Sequence, residues 1–223
     1  MTDPATLAVW RALVRSRTAP APVPLVPELT TYQATELTPL WTATSAELGR
    51  YDPSPFWAFP WAGGQALARH LLDHPELVRG KRVLDFATGS GLAGLAAARA
   101  GAARVVATDL SPFCEAVVPL NAALNGLELE LRLEDRLGTP PGEDEVVLAG
   151  DVFYEQRLAS RAFAWFQAVA AAGTTVLVGD PGRHYSPAGG AVERGRHDVP
   201  VPAEIEDRPL LTTRVLQILP PGG

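Results

Sequence analysis

A strand, a glycine turn and a helix follow one another over residues 82–98, and this unit constrains the fold more than any other stretch. Residues 83–86 form an apolar run of β type, and residues 92–98 have the composition of a buried helix. Between them, Gly89 and Gly91 let a ligand approach the backbone without a Cβ in the way. Such a unit opens nucleotide-binding α/β sheets, in which the ligand lies at the helix N-terminus.

The acids around this turn distinguish two classes of cofactor. The run Gly-Ser-Gly-Leu-Ala-Gly at 89–94 matches the G-x-G-x-x-G pattern of dinucleotide sites, and Asp109 follows where a ribose-binding acid belongs. Asp85, at the end of the strand, would repel a pyrophosphate but attract the sulfonium and amino groups of S-adenosylmethionine (AdoMet). We therefore predict an AdoMet site, and a nicotinamide-dependent oxidoreductase is the less favoured alternative.

Composition narrows the class of partner. The chain has 25 acidic and 19 basic residues without a basic stripe, which argues against a nucleic-acid partner and favours a protein or a small molecule. The single cysteine, Cys114, excludes an internal disulfide and fits a reducing compartment. No apolar run reaches membrane-spanning length, and no signal-peptide pattern opens the sequence. We predict a cytoplasmic protein with no membrane partner.

The first 54 residues are predicted to form an N-terminal helical and extended cover on a sheet domain over 55–223. Apolar spacing predicts a helix over 4–15, four prolines force 19–27 to be extended, and a second helix is expected over 35–50. The cover either only packs on the sheet domain or also helps to hold a protein substrate.

Four aromatic residues fall within 56–61, too densely and irregularly for one helix face or one strand. They form either a buried aromatic patch or a loop over the cofactor, with one ring against the adenine or beside the methyl-transfer channel. Aromatic rings also attract cations, including a sulfonium or an ammonium. A helix over 64–77 is expected to lead from this segment into the first strand of the sheet.

The remaining sequence alternates between strands and helices, which predicts an α/β, Rossmann-like, mostly parallel sheet of seven strands. The further strands are predicted at 104–108, 127–133, 145–150, 174–179, 196–201 and 211–219. Helices are predicted at 112–125 and 158–171. The chain has no metal-spaced His/Cys cluster, no G-x-S-x-G and no Walker loop, so neither a metal site nor a hydrolase or NTPase is predicted.

Acids at the carboxyl ends of these strands are candidate cofactor residues, because open α/β sheets bind ligands at that edge. Asp109 either binds both ribose hydroxyls or caps the next helix. We favour the ligand role, because Ser111 alone could cap that helix and leave Asp109 free. Asp135 either accepts a hydrogen bond from the adenine amino group or lies in a solvated turn. Gly150, at the end of the fourth strand, is also predicted to contact the cofactor.

Asp151, Phe153 and Tyr154 follow the fourth strand and suit an amine nucleophile. The Asp151 carboxylate could orient the amine, while an exposed Phe153 and the Tyr154 ring line a narrow slot. The alternative is that Asp151 caps the following helix, with Glu155 supporting its first turn. We favour the substrate role for these three residues.

Four motifs together resemble a known family. The stretch 55–67, which contains Trp-Ala-Gly-Gly-Gln, the 85–91 motif, Gly-Asp-Val-Phe-Tyr at 150–154 and Gly-Asp-Pro-Gly-Arg at 179–183 resemble the seven-β-strand AdoMet methyltransferases. Within them, the chain is similar to the electron transfer flavoprotein β-subunit lysine methyltransferases (methyltransferase family 16), as a bacterial member. The likeness runs over 25–219, and Thr88 stands where the family often has Gly or Ser.

The resemblance implies a fold, a reaction and a set of site residues. The seventh strand would be antiparallel, Trp61, Gly89 and Asp109 would contact AdoMet, and Asp85 would lie close to its methionine end. Asp151 and Tyr154 would lie beside the target lysine. The implied reaction is methyl transfer to lysines of the flavoprotein β subunit. A ribosomal protein or a small amine as acceptor, and an inactive AdoMet-binding module, are the alternatives.

Overall fold

The computed structural model describes residues 2–34, 37–48, 55–140, 142–201 and 208–222. The helices are α1 (Pro4–Arg17), α2 (Leu37–Leu48), α3 (Ala62–Asp73), α4 (Leu92–Arg99), α5 (Cys114–Asn125) and α6 (Gln156–Ala171). The strands are β1 (Ala19–Val23), β2 (Val26–Gln33), β3 (Arg82–Phe86), β4 (Arg104–Asp109), β5 (Glu130–Leu133), β6 (Val146–Gly150), β7 (Thr175–Asp180), β8 (Ala191–Pro200) and β9 (Leu210–Ile218). Within these ranges, no helix combines the length and apolarity that crossing a bilayer requires.

Seven strands form one sheet in the order β5-β4-β3-β6-β7-β9-β8. The pairs β3 with β4, β4 with β5, β3 with β6 and β6 with β7 are parallel, whereas β9 is antiparallel to both β7 and β8. This confirms the predicted α/β class with an antiparallel seventh strand. The chain winds outward from β3 to β5 and then returns to β6, so the winding reverses beside β3. A crevice for a ligand is expected at that point, outside the carboxyl ends of the strands.

Two apolar layers cover the faces of the sheet, because successive side chains of a strand point to opposite faces. Val83 and Val105 belong to the layer that contains α3 and α4. Leu84 and Val106, their neighbours in sequence, belong to the layer of α6, together with the fully buried Phe166. Burial on both faces explains why these strands are continuous apolar runs.

The N-terminal elements pack on the outside of this domain. In α1, the ring of Trp10 stacks on Phe113 with centroids 4.8 Å apart. Residues 19–33, predicted only to be extended at the start, form the antiparallel β1–β2 hairpin. Asn121 of α5 accepts a hydrogen bond from the Tyr32 N–H at 2.8 Å. These elements therefore form a cover, while the domain boundary and a role in holding substrate stay predictions.

One buried amide joins three distant segments. The Gln65 side chain of α3 donates to the Pro60 carbonyl at 2.6 Å and to the Pro200 carbonyl at 3.2 Å. Its Oε1 accepts from the Leu25 N–H at 3.1 Å. The hairpin, the start of α3 and the end of β8 are thereby held together.

Several boundaries differ from the sequence prediction. Helix α3 ends at Asp73, because Pro75 disfavours helical geometry in the residue before it, and a 3-10 turn takes its place. Strand β5 begins at Glu130, after the predicted start at 127. Strand β8 begins at Ala191, five residues before the predicted start, and continues through Gly195. A Cβ at Gly195 would lie 2.7 Å from Nδ1 of His70, so the glycine accommodates that ring. The helix predicted over 35–50 is α2, and 35, 36, 49 and 50 lie outside the described residues.

Candidate active site

A cavity of about 660 Å³ opens at the carboxyl ends of the central strands, where the winding of the sheet reverses. Its volume is within the range of sites for small ligands and cofactors. It brings together most of the predicted site residues, namely Trp61, Asp85, Gly89, Asp109, Asp135, Gly150, Asp151 and Tyr154. Gly91 and Phe153 do not line it.

Asp85, at the end of β3, is only 2% exposed. Its Oδ2 accepts hydrogen bonds from the Thr88 hydroxyl and, at 2.9 Å, from the Gly94 N–H in the first turn of α4. Burial raises the pKa of the Asp85 carboxyl to about 6. The two hydrogen bonds lower this pKa in part, and the negative charge of Asp109 raises it by a smaller amount. Within the described ranges no cationic side chain pairs with it, so a cationic ligand would be favoured beside it.

The turn after β3 depends on left-handed backbone geometry. Gly89 has φ +52° and Gly91 has φ +86°, and Ala87 adopts φ +51°, which is unusual for a residue with a Cβ. Gly89 lines the cavity, whereas Gly91 faces Val118 of α5. Gly91 therefore serves the shape of the turn, and a contact between Gly91 and the cofactor stays a prediction. The Asn121 amide steadies the turn by donating to the Ser90 carbonyl at 2.8 Å.

Asp109, at the end of β4, is partly engaged by the backbone. Its Oδ2 accepts from the Gly89 N–H at 2.9 Å, and its Oδ1 accepts from the Ser111 N–H at 2.8 Å. The prediction that Ser111 caps α5 was wrong, because the helix begins at Cys114 after Phe113, which makes no side-chain capping bond. Asp109 was therefore not left free, but carboxylate oxygens have spare lone pairs that can also accept from ribose hydroxyls.

Asp135 lies at the outer edge of the cavity. Its Oδ1 accepts from the Leu137 N–H at 2.9 Å, and its Oδ2 forms an ion pair with Arg161 at 3.3 Å. Both charged side chains are about half exposed. Asp135 therefore lies in a solvated turn at the border of the cavity, and a hydrogen bond to the adenine stays a prediction.

All four aromatic residues of the segment border the cavity. Trp57 and Phe59 do so as buried side chains, whereas Phe56 is 37% exposed and forms an aromatic wall with Trp61 and Tyr154. The ring centroid of Phe56 lies 5.5 Å from that of Trp61 and 5.4 Å from that of Tyr154. The Trp61 Nε1–H is held by the Phe56 carbonyl at 2.8 Å.

Tyr154 contributes a hydroxyl to this aromatic wall. Burial, with smaller contributions from Asp109, Glu155 and Asp151, raises the pKa of the Tyr154 hydroxyl. The hydroxyl therefore stays protonated at neutral pH, and it can donate a hydrogen bond into the cavity.

The prediction that Phe153 is an exposed ring at the site was wrong. Phe153 is 1% exposed and packs with Phe163 in the apolar layer of α6. Val152 and Tyr154 on either side face the cavity, so the side chain between them points to the opposite face. Phe153 therefore belongs to the core.

Asp151 links the start of α3 to the loop after β7. It is 7% exposed, and its Oδ2 accepts from the Gly63 N–H at 2.5 Å while its Oδ1 pairs with Arg183 Nε at 2.6 Å. Trp61, the residue before α3, makes no capping side-chain bond, so Asp151 caps this helix from a distant part of the chain. It does not cap the helix that follows it, since Glu155 caps α6.

Glycines allow the start of α3 to lie against the sheet. A Cβ at Gly179 would overlap the Gly63 carbonyl, and a Cβ at Gly150 would lie 2.9 Å from the Cα of Gly64. The Gly-Gly pair at 63–64 and the strand-end glycines therefore form one backbone contact. Gly150, predicted to contact the cofactor, is required for this contact and also lines the cavity.

Sequence reasoning assigned no role to Arg183 or Asn121. Arg183 was part of the quoted Gly-Asp-Pro-Gly-Arg run, and its place after a strand end was a signal for the site. Asp180 positions that loop, because its Oδ1 accepts from the Gly182 and Arg183 N–H groups at 3.1 and 3.2 Å. No comparable signal distinguishes Asn121 within its helix.

A family model described as ribosomal protein L11 methyltransferase (PrmA) matches residues 67–151, which include the glycine turn and end at Asp151. In fold, the chain is similar to a candidate RNA methyltransferase from Pyrococcus horikoshii, with a TM-score of 0.52 and 15% identity over 72% of this chain and 83% of that one. A structure from Thermoplasma acidophilum gives a TM-score of 0.51 at 15% identity, over 76% and 95% of the two chains.

Proteins that are similar in sequence indicate the family of this chain more specifically than the similar folds do. The electron transfer flavoprotein β-subunit lysine methyltransferase of Rattus norvegicus is 43% identical over 140 residues, which are 62% of this chain and 54% of the rat protein. This chain thus spans about half the length of that relative. The protein of the same description from Xenopus laevis is 38% identical over 175 residues, 78% of this chain and 70% of the frog protein. The chain belongs to the electron transfer flavoprotein β-subunit lysine methyltransferase family.

Proposed function

We propose that this protein is an AdoMet-dependent protein-lysine N-methyltransferase whose substrate is the β subunit of electron transfer flavoprotein. The observation that carries the proposal is the cavity itself, which combines a buried carboxylate that lacks a described cationic partner with a wall of aromatic rings. Family membership supports the same reaction, because its members are described as lysine methyltransferases of that subunit.

The residues around the glycine turn fit AdoMet. Asp85 would face the cationic methionine end, and Asp109 would accept hydrogen bonds from the ribose. Gly89 would offer a close backbone approach, while Trp61 and Asp135 would flank the adenine. When bound, AdoMet supplies a methyl group on a positively charged sulfur.

The opposite side of the cavity suits a lysine side chain. Phe56 and Tyr154 would surround its methylene groups and exclude water. Desolvation in such a slot lowers the pKa of an amine from its ordinary value near 10.4. Holding the neutral amine in line with the methyl group supplies much of the rate. Asp151 would bind and orient this side chain, and we assign it no role as a general base.

Ribosomal protein L11 is a second candidate substrate, because the matching family model carries that description. A small amine would use the same slot, although an exposed mouth with Leu110, Phe56 and Tyr154 suits a larger partner. The nicotinamide alternative has the glycine pattern and the position of Asp109 in its favour, and the buried Asp85 carboxylate argues against it.

The test is methyl transfer from labelled AdoMet to two purified acceptors, the flavoprotein β subunit and ribosomal protein L11. We expect label on lysines of the β subunit, its loss in Asp85→Asn, and its retention in Asp198→Asn, an exposed carboxylate on β8. Label on L11 alone would show that L11, and not the β subunit, is the substrate. No transfer to either acceptor, despite AdoMet binding, would reject the proposal.

A further inference from the structure

Arg183 and Asp151 form an ion pair in the wall of the cavity. Arg183 Nε lies 2.6 Å from Asp151 Oδ1, and the two side chains are 21% and 8% exposed. Capping of α3 uses the other oxygen, Oδ2, through the Gly63 N–H. The ion pair is therefore a separate feature from the cap.

The loop that carries Arg183 is built rigidly. Asp180 is 1% exposed, and its Oδ1 accepts hydrogen bonds from the backbone N–H groups of Gly182 and Arg183. The same oxygen accepts from the Ser186 hydroxyl at 2.8 Å, and Oδ2 forms an ion pair with Arg214 at 2.8 Å. These bonds fix the start of the Arg183 side chain at the cavity. The guanidinium is thus preorganised next to Asp151.

Such a pair matters for an amine nucleophile. Only the neutral amine can attack, whereas an unperturbed lysine is an ammonium at physiological pH. A buried carboxylate without a partner would hold the ammonium form and raise the pKa of the lysine. An adjacent guanidinium cancels that effect, because its charge opposes a second cation nearby.

We propose that Arg183 compensates the charge of Asp151 and thereby allows the substrate lysine to reach the site as the neutral amine. The inference rests on the proposed function. Arg183 is a positioning residue, since it acts through Asp151. The ammonium first releases a proton to water. The nitrogen lone pair then bonds to the methyl carbon, the carbon–sulfur bond breaks with its electron pair going to sulfur, and the product is a methylated ammonium with a neutral thioether.

Among the described residues that line the cavity, no other cationic side chain is placed to compensate the charge of Asp151. Arg161 pairs with Asp135 at the outer edge. The Tyr154 hydroxyl stays protonated at neutral pH and adds no charge. Among the residues that the structure describes, the other ionisable groups that line the cavity are Asp85, Asp109, Cys114 and Glu134.

The test is the pH dependence of kcat for methylation of the flavoprotein β subunit, at saturating β subunit between pH 6 and 10, because kcat reports the pKa of the lysine while it is bound. In Arg183→Gln we expect the midpoint of the alkaline rise to move up by about one pH unit, which is about a tenfold loss at neutral pH. Arg183→Lys should restore the wild-type midpoint. In the double variant Arg183→Gln with Asp151→Asn, the midpoint should return towards the wild-type value.

The outcomes separate the two proposals. If wild type does not methylate the β subunit, the proposed function fails. If wild type is active but Arg183→Gln loses activity equally at every pH, Arg183 is merely structural and the inference is overturned. Thermal unfolding and S-adenosylhomocysteine affinity report whether each variant is folded. Arg183→Met, which keeps the apolar stem, replaces Arg183→Gln if the latter does not fold.

Discussion

Asp85 lies at the end of β3, and Asp151 directly follows β6, the neighbouring strand of the sheet. Both side chains are buried. Each accepts a backbone N–H from the first turn of a helix, Gly94 for Asp85 and Gly63 for Asp151. Their remaining partners differ. Asp85 has the Thr88 hydroxyl, whereas Asp151 has the guanidinium of Arg183.

The difference separates two uses of a buried carboxylate. Asp151 carries its own counter-charge and is part of the framework. Asp85 is stabilised by neutral donors, so burial raises the pKa of its carboxyl and a cation from outside the chain would complete it. The first arrangement builds the site, and the second prepares it for a cationic ligand.

The largest expected effect concerns the two glycines that donate to these carboxylates. In Gly63→Ala the new Cβ would lie 2.6 Å from the Asp151 backbone nitrogen, so the free energy of unfolding should fall by about 3 kcal/mol or more. In Gly94→Ala the nearest atom, at 2.7 Å, is the end of the flexible Leu129 side chain. We expect this matched variant to change stability by about 1 kcal/mol. Urea unfolding measures both, and equal losses would contradict the contrast.

A smaller effect is expected on AdoMet affinity. Asp85→Asn removes the carboxylate that has no described cationic partner, and the dissociation constant should rise about 100-fold. Asp151→Asn should change it by about threefold or less, because Arg183 already compensates that charge. Titration calorimetry with AdoMet measures both values. A larger loss in Asp151→Asn than in Asp85→Asn would reverse the assignment.

AdoMet affinity should also depend on pH through Asp85. The pKa of this carboxyl is about 6, above its ordinary value of 3.8, so the ligand-free folded protein binds this proton more tightly than the unfolded chain. The contribution of Asp85 to stability is therefore present at low pH and lost as pH rises through 6. Affinity for a cation has the opposite dependence, and it should fall about fivefold between pH 6 and pH 5. Asp85→Asn should be nearly flat over this range in the same calorimetry.

The smallest effect concerns Ala87, which adopts φ +51° beside Asp85. Ala87→Gly relieves the strain of a left-handed residue but makes the unfolded chain more flexible, so we expect a net gain of about 0.5 kcal/mol. Thermal unfolding of the ligand-free protein provides the measurement. A clear loss of stability would show that the alanine methyl group makes contacts that outweigh the strain.

Local motifs predicted one side of the cavity well. Asp85, Gly89 and Asp109 stand at fixed distances from a strand, a turn and a helix, so their placement follows from the sequence pattern. The strands themselves were predictable because they are buried on both faces. In contrast, the side chain of Phe153 could be placed only by knowing which face of the sheet Tyr154 occupies.

The other side of the cavity depends on contacts between distant residues. Asp151 meets Gly63 across 88 positions and Arg183 across 32, and neither distance is a recognisable spacing. The glycines of the Trp-Ala-Gly-Gly-Gln motif were noticed as a family feature, but their reason is the close approach of α3 to Gly150 and Gly179. Steric contacts of this kind leave no periodic signal in a single sequence.

The Gln65 amide has a consequence for the order of folding. It joins Leu25, Pro60 and Pro200, so its hydrogen bonds cannot all form during synthesis until position 200 has left the ribosome. Contacts between such distant positions form late, because a long loop must close first. The glycine turn, whose partners lie closer along the chain, can assemble earlier. The nascent protein is therefore expected to complete the glycine turn before the contacts that join the hairpin and α3 to the end of β8.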